Sequence, residues 1–239
     1  VNINQNKKVT FIDLGLIDYQ AGLDYQSKLF QSILDVKAKN RDLPSDQHLK
    51  TNNFLIFCEH PHVFTLGKSG EEENLLVKKE ALNTIDATYY HTNRGGDITY
   101  HGPGQIVVYP IIDMENFFTD IHLYMRKLEE SVIQTLAEFN IKSGRIAGLT
   151  GVWLDFESQS KARKICALGV KTSRWVTMHG LAFNVNTQLD YFNYIVPCGI
   201  NDKAVTSLNK ELGTIPDMQK VKSILKEKIL SLFEMEIIN

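Results

Sequence analysis

Cys198 stands between Pro197 and Gly199. Proline fixes the backbone before the cysteine, and glycine after it admits close approach of another backbone. A thiol presented in this way is a candidate nucleophile; the ordinary alternative is an unreactive cysteine in a turn. The reactive form is the thiolate, and a free thiol with a pKa of ~8.5 needs a nearby positive charge to populate it at neutral pH. Chain order does not choose that partner from Lys164, Lys171, Arg94, His101 and His179.

A second chemical feature is residues 94–110, R-G-G-D-I-T-Y-H-G-P-G-Q-I-V-V-Y-P. It holds Gly95, Gly96, Gly102 and Gly104, four of the chain's 15 glycines. No regular strand or helix needs glycines this dense. A plain turn between strands would explain them, but Arg94, His101 and Gln105 favour a loop that cradles a ligand with its backbone N–H groups. The stretch lacks the G-K-[ST] ending of a phosphate-binding P-loop.

Lys164 lies in K-I-C-A-L-G-V. On a strand, Lys164, Cys166 and Leu168 share one face. A lysine on an apolar face is costly unless paired or functional, and burial would lower its pKa towards proton-transfer duty. Otherwise it is a strand-end lysine with its amine in water. Cys166 is a rival nucleophile, although a mid-strand thiol is better suited to packing. The small residues Ala167 and Gly169, with Gly180 and Ala182, leave a narrow apolar slot. His179 either hydrogen-bonds a substrate or is a satisfied core histidine. His60 and His62 flank Pro61 without the further ligands of a metal site.

These groups must be held by strands and helices, and the hydrophobic periodicity supplies both. Strands are expected at 9–16, 54–58, 63–66, 87–92, 106–112, 152–156, 164–172 and 175–185. Helices are expected from Asp18 onwards, with Leu23, Leu29, Phe30, Ile33, Leu34 and Val36 as an apolar stripe, over 120–140, and over 217–234. Asp18 is a candidate N-cap. Residues 40–52 and the acidic run at 71–73 read as surface loop or helix start, 190–194 as a helical turn, and 158–163 as a hairpin turn. With no repeat and no linker, the pattern suggests one α/β domain over 1–239, a mixed sheet with helices packed on it.

The bulk numbers narrow the class. A net charge of −2 and 23% charged residues favour neither nucleic acid nor an anionic membrane. No apolar run approaches the ~20 residues of a membrane span, and the first residues show no signal-peptide core. Cys58, Cys166 and Cys198 are odd in number and widely spaced, which argues against disulfides or structural zinc and suggests a reducing compartment, the cytoplasm.

The segments at 94–110, K-I-C-A-L-G-V-K, M-H-G-L-A-F-N-V and P-C-G-I, in that order, together resemble the lipoyl(octanoyl) transferases, and E-H-P-H-V-F-T-L-G adds a fifth match. Position 62 departs from the family in being His where a less polar residue is expected. The resemblance implies the fold of biotin and lipoate protein ligase catalytic domains, a mixed β-sheet flanked by helices. It implies transfer of an octanoyl group from octanoyl-acyl carrier protein to a lysine of a lipoyl domain, in 2-oxoacid dehydrogenases and the glycine cleavage H protein, with no cofactor and no metal. Cys198 would carry the acyl thioester and Lys164 would lower its pKa and move protons. Arg94, Gly95, Gly96, Asp97, Ile98, Thr99, Tyr100 and His101 would line the substrate site with Ala167, Leu168, Gly169, Gly180, Leu181 and Ala182. His179 and Gln105 are possible additions.

Three other chemistries fit the same residues. An ATP-dependent lipoate or biotin ligase on this fold would need nucleotide but not Cys198. A thioesterase or amidase would use Cys198 with a histidine and release free octanoate. A non-catalytic lipoyl-domain or acyl-binding module would bind without turnover.

Overall fold

The computed structural model describes residues 5–158, 160–196 and 204–238. In chain order the elements are β1 (Lys8–Leu16), α1 (Tyr19–Asn40), β2 (Phe54–Glu59), β3 (Val63–Leu66), β4 (Thr88–His91), β5 (Thr99–His101), β6 (Gln105–Ile111), α2 (Ile121–Ala137), β7 (Val152–Leu154), β8 (Arg163–Ser173), β9 (Val176–Asn184), β10 (Ala204–Val205), α3 (Leu208–Leu212), α4 (Met218–Phe233) and β11 (Glu236–Ile238). Short 3₁₀ turns lie between them, including Glu72–Asn74 in the acidic run and Leu189–Tyr194 at the expected helical turn. The strand Thr99–His101 inside the glycine-rich stretch was not legible from composition. The short β10, α3 and β11 carry too few residues for a period to show.

Aspartate side chains start the long helices. Asp18 accepts from the Ala21 N–H, Asp120 from Leu123 and Asp217 from Gln219. Each satisfies a backbone donor that has no partner within the helix. The hairpin reading of 158–163 also holds, because β7 and β8 pair antiparallel across it.

The larger sheet runs β10-β8-β9-β6-β2-β1-β11, with β7 added to β8, and a smaller sheet runs β4-β3-β5. It is mixed: β2, β6, β9 and β8 pair antiparallel in succession, whereas β1 joins β2 and β11 in parallel. Alternation of side chains divides β6 and β2 between two cores. Ile106, Val108, Leu55 and Phe57 pack on the side of α2 and α4. Val107, Tyr109, Ile56 and Cys58 pack on the side of α1. β2 then leaves through His60 and Pro61 to become β3, so the small sheet is tethered beside the α1 face.

The buried stripe of α1 is Tyr19, Gly22, Gln26, Phe30 and Ile33. Its spacing is helical, but Gly22 and Gln26 are not apolar and Tyr19 stands at its start, so the hydrophobic pattern caught Phe30 and Ile33 and missed the other three. Likewise α2 buries the expected Tyr124, Leu128, Val132 and Leu136, together with the unexpected Glu129.

Phe183 is fully buried in the α2-side core. Phe183→Ala should lower unfolding stability by about 3–5 kcal/mol. Ile215→Ala, at a side chain 80% exposed, should change it by less than about 0.5 kcal/mol. Urea unfolding of the two variants checks this; equal effects would contradict the placement of the core.

Candidate active site

The glycine-rich loop is built around its own arginine. Arg94 donates to the carbonyls of Gly95 at 2.8 Å, Asp97 at 2.8 Å and Thr65 at 3.1 Å. The loop also takes backbone bonds from the turn after β3: Lys68 donates to Arg94 at 2.8 Å and Ser69 to Gly96 at 3.2 Å. Asp97 accepts from Ile98 N and from the Asn74 side chain. Arg94 is therefore a brace for the loop. The Gly95 N–H, expected to face a ligand, donates to the Val170 carbonyl on β8 at 3.0 Å instead.

That bond presses the loop onto the sheet. A Cβ on Gly169 would lie 2.6 Å from the Gly95 carbonyl oxygen and 2.8 Å from Arg94 Nη1. Gly169 pairs with Gly180 and Ala167 with Ala182 in the β8–β9 ladder. Four small residues thus face each other in two rows; the loop fills the space at Gly169, a Cβ on Gly180 would lie 2.1 Å from the Val108 carbonyl oxygen, and a hollow opens beside them.

The hollow is a cavity of about 450 Å³. Its walls take in Arg94, Gly95, Gly96, Asp97, Ile98, Thr99 and His101 from the loop and β5. Ala167, Leu168, Gly169, Gly180, Leu181 and Ala182 come from the ladder, with Lys164, His179 and Gln105. Tyr100 is a correction. It alternates away from Thr99 and His101, is fully buried in the core of the small sheet, and its hydroxyl bonds His62 Nδ1 at 2.8 Å. His62, the family departure, is also stacked on Tyr191 at 4.1 Å. Tyr19 and Tyr109 complete the inner wall; sequence patterning had marked neither as functional, because one reads as a helix start and the other as a strand residue.

The polar members of the wall form a defined chain. His101 Nδ1–H donates to Gln105 Oε1 at 2.8 Å, Gln105 Nε2 donates to Asn184 Oδ1 at 2.9 Å, and Asn184 Nδ2 donates to the Thr206 carbonyl at 3.0 Å. Nearby, His60 Nδ1–H donates to the Ile17 carbonyl, which leaves Nε2 to accept from the Tyr109 hydroxyl at 2.8 Å. Burial lowers His60, and lowers His101 to about 3, assisted by His60 and Arg94. Burial, with Arg94 and Lys171, lowers His179 to about 3. These imidazoles are neutral at pH 7 and cannot supply the positive charge that a thiolate needs.

His179 has φ +64, in the left-handed region that non-glycine residues seldom occupy. The ladder to β6 is interrupted there. Thr177 Oγ1 donates to the Pro110 carbonyl and accepts from Ile112 N, while the His179 N–H turns to Gln26 of α1 at 3.1 Å. This bend carries the His179 ring into the cavity wall.

Lys164 lies at the other end. Its Nζ is 4.6 Å from the centre of the Trp153 ring, a cation–π contact. Lys164 and Leu168 both line the cavity, whereas Cys166 does not. Val152 pairs with Cys166 and Trp153 with Lys164, leaving Ile165 as the extra residue of a bulge. Ile165 and Cys166 are both fully buried in the α2-side core, so the expected shared face of Lys164 and Cys166 is broken. Burial pushes the Cys166 thiol far above its usual value, which counts against it as a rival nucleophile. Glu129 holds the adjoining loop, accepting from Gly151 N at 3.0 Å, Arg126 at 2.6 Å and Arg145 at 2.9 Å. Cys198 lies outside the described residues; Ala204 and Val205, which follow that segment, line the cavity.

The fold first defines the class. The chain superposes with a TM-score of 0.67 on the bi-partite lipoate protein ligase of Thermoplasma acidophilum, at 15% identity, covering 97% of this chain and 88% of that one. That likeness shows a shared fold and matches the expected α/β architecture. A family profile described as the lipoyl protein ligase A/B catalytic domain matches residues 18–230. The chain is also 60% identical to the octanoyltransferase of Cytophaga hutchinsonii over 99% of its own length and 97% of the relative's. To that of Flavobacterium johnsoniae it is 58% identical, over 98% and 100% respectively. The chain belongs to the octanoyltransferase family and is an acyltransferase. Among the described residues no helix is long and apolar enough to cross a membrane.

The histidines give a pH prediction. His179 falls from 6.5 in the unfolded chain to about 3 in the folded one, so the unfolded state binds the proton more readily between those values. Stability is fully present above pH 6.5 and declines as pH falls towards 3, by about 1.4 kcal/mol at one unit below the unfolded pKa. His179→Asn removes the proton site while tolerating the left-handed backbone. Urea unfolding between pH 7.5 and 5.5 should show a shallower decline in the variant; an identical decline would contradict the buried neutral imidazole.

Proposed function

We propose that this protein transfers an octanoyl group from octanoyl-acyl carrier protein to a lysine of lipoyl domains, those of 2-oxoacid dehydrogenases and the glycine cleavage H protein, in the cytoplasm. The observation that carries this reading is the row of Ala167, Gly169, Gly180 and Ala182 in a cavity that Lys164 also lines. It offers an apolar bed for a slender chain and a proton carrier at one end. Burial of each CH₂ contributes about 0.8 kcal/mol.

In the first step the Cys198 thiolate attacks the thioester carbonyl. A new C–S bond forms, the carrier's C–S bond breaks, and the Lys164 ammonium gives its proton to the departing thiolate. One thioester replaces another, so no nucleotide is needed to drive the exchange. In the second step the acceptor lysine amine attacks the acyl carbon, the neutral Lys164 amine takes the proton it sheds, and Cys198 leaves as thiolate. Lys164 and Arg94 are the cationic groups lining the cavity among the described residues, and Arg94 is committed to loop carbonyls. That supports Lys164 among the partners left open by chain order.

Octanoylated lipoyl domain should form from octanoyl carrier protein without ATP, read by intact mass. A requirement for ATP would establish the ligase reaction instead, and release of free octanoate without acceptor modification would establish a thioesterase. Lys164→Met should slow transfer by at least about 100-fold, the lower end of general acid–base contributions. Wild-type rates in that variant would remove Lys164 from the mechanism.

A further inference from the structure

A second cleft, of about 320 Å³, lies beside Asp18, Pro61, His62, Asp86 and Thr88. Among the described residues Tyr19 alone lines both this cleft and the cavity beside Lys164. Its side chain is 3% exposed. Its ring is held on three sides, with centroids 5.2 Å from His60, 5.1 Å from Tyr90 and 6.1 Å from His101, the last nearly parallel. Tyr19 is a wall between two hollows.

The wall stands at the end remote from Lys164. His60, in edge contact with Tyr19, accepts from the Tyr109 hydroxyl. Tyr109 follows Val108, which pairs with Leu181, which in turn pairs with Leu168. Lys164 is four residues back along β8, roughly 13 Å at the rise of a strand. A chain whose carbonyl carbon is held near Lys164 and whose tail runs along the trough meets Tyr19 last.

We propose that Tyr19 is the stop that sets acyl-chain length. Its ring closes the inner end of the acyl cavity, and without it the cavity continues into the cleft beside Pro61 and admits saturated acyl chains several carbons longer than octanoyl. The proposal rests on the acyl-transfer reading above. The ring can be cut back without unravelling the helix, because Tyr19 is the first residue of α1 and the Asp18 cap bonds Ala21. At that position the backbone N–H has no helical acceptor to lose.

The test compares wild type, Tyr19→Ala, Tyr19→Leu and Tyr19→Phe with octanoyl and dodecanoyl carrier proteins and a lipoyl domain, read by intact mass. Calorimetric binding of free octanoic and dodecanoic acids runs in parallel. The dodecanoyl-to-octanoyl ratio should rise at least about tenfold in Tyr19→Ala, since even one methylene excluded from an apolar pocket is worth about that much. It should rise less in Tyr19→Leu and keep the wild-type value in Tyr19→Phe, which retains the ring. An unchanged ratio in folded Tyr19→Ala and Tyr19→Leu overturns the proposal. If Tyr19→Ala does not fold, the ratio in Tyr19→Leu decides. Failure of the wild type to transfer octanoate would refute the transfer reading, and the binding arm would still decide this one. Gain of dodecanoic acid binding in Tyr19→Ala supports the stop, and no gain overturns it.

Discussion

The contact on which the site depends is the approach of the 94–97 loop to the sheet at Gly169. The Gly95 carbonyl lies where a side chain would otherwise begin, 2.6 Å from an ideal Cβ. Because nothing projects from that position, Gly95 can donate to Val170 and the Arg94 guanidinium can settle against β8. The loop then forms a roof over the Ala167–Ala182 and Gly169–Gly180 pairs instead of standing away from them. Any larger residue at Gly169 must move backbone rather than a flexible side-chain tip, and interiors packed to crystal density do not absorb such a shift cheaply.

Under that roof the electrostatics are divided. Arg94 spends donors on three carbonyls. The histidines around the inner end are kept neutral by burial, and the hydrogen bond from Nδ1 to a carbonyl or amide oxygen sets the tautomer of His60 and His101. The inner end therefore has polar groups without mobile charge, compatible with an acyl tail lying against aromatic and imidazole faces. The Lys164 amine is at the opposite end, against the Trp153 ring. On the proposed reading, the Lys164 end serves proton transfer and the inner end holds the acyl chain.

Much of this was legible in the residues. Glycine density located the loop, the small residues in A-L-G and G-L-A located the trough, and apolar periodicity located α2 and α4. The misses have physical causes. Tyr100 was counted in the wall because a motif is read as a block, whereas a strand turns alternate residues to opposite faces. The bulge at Ile165 put Cys166 and Lys164 on different faces, and a one-residue insertion leaves no trace in a hydrophobic pattern. Tyr19, Gln26 and Glu129 were missed because what they meet lies elsewhere in the chain: ring contacts for Tyr19, the His179 N–H for Gln26, and Arg145 and the Gly151 N–H for Glu129. The left-handed bend at His179 was invisible for the same reason: it depends on Thr177 replacing a ladder bond.

The central claim is a covalent acyl-enzyme at Cys198, and its most direct test is mass analysis of the protein after mixing with octanoyl carrier protein and no acceptor, followed by peptide mapping. The expected result is one octanoyl group on Cys198, discharged when a lipoyl domain is added. Product formation with no adduct on the wild-type protein, or an adduct on another residue, would contradict it.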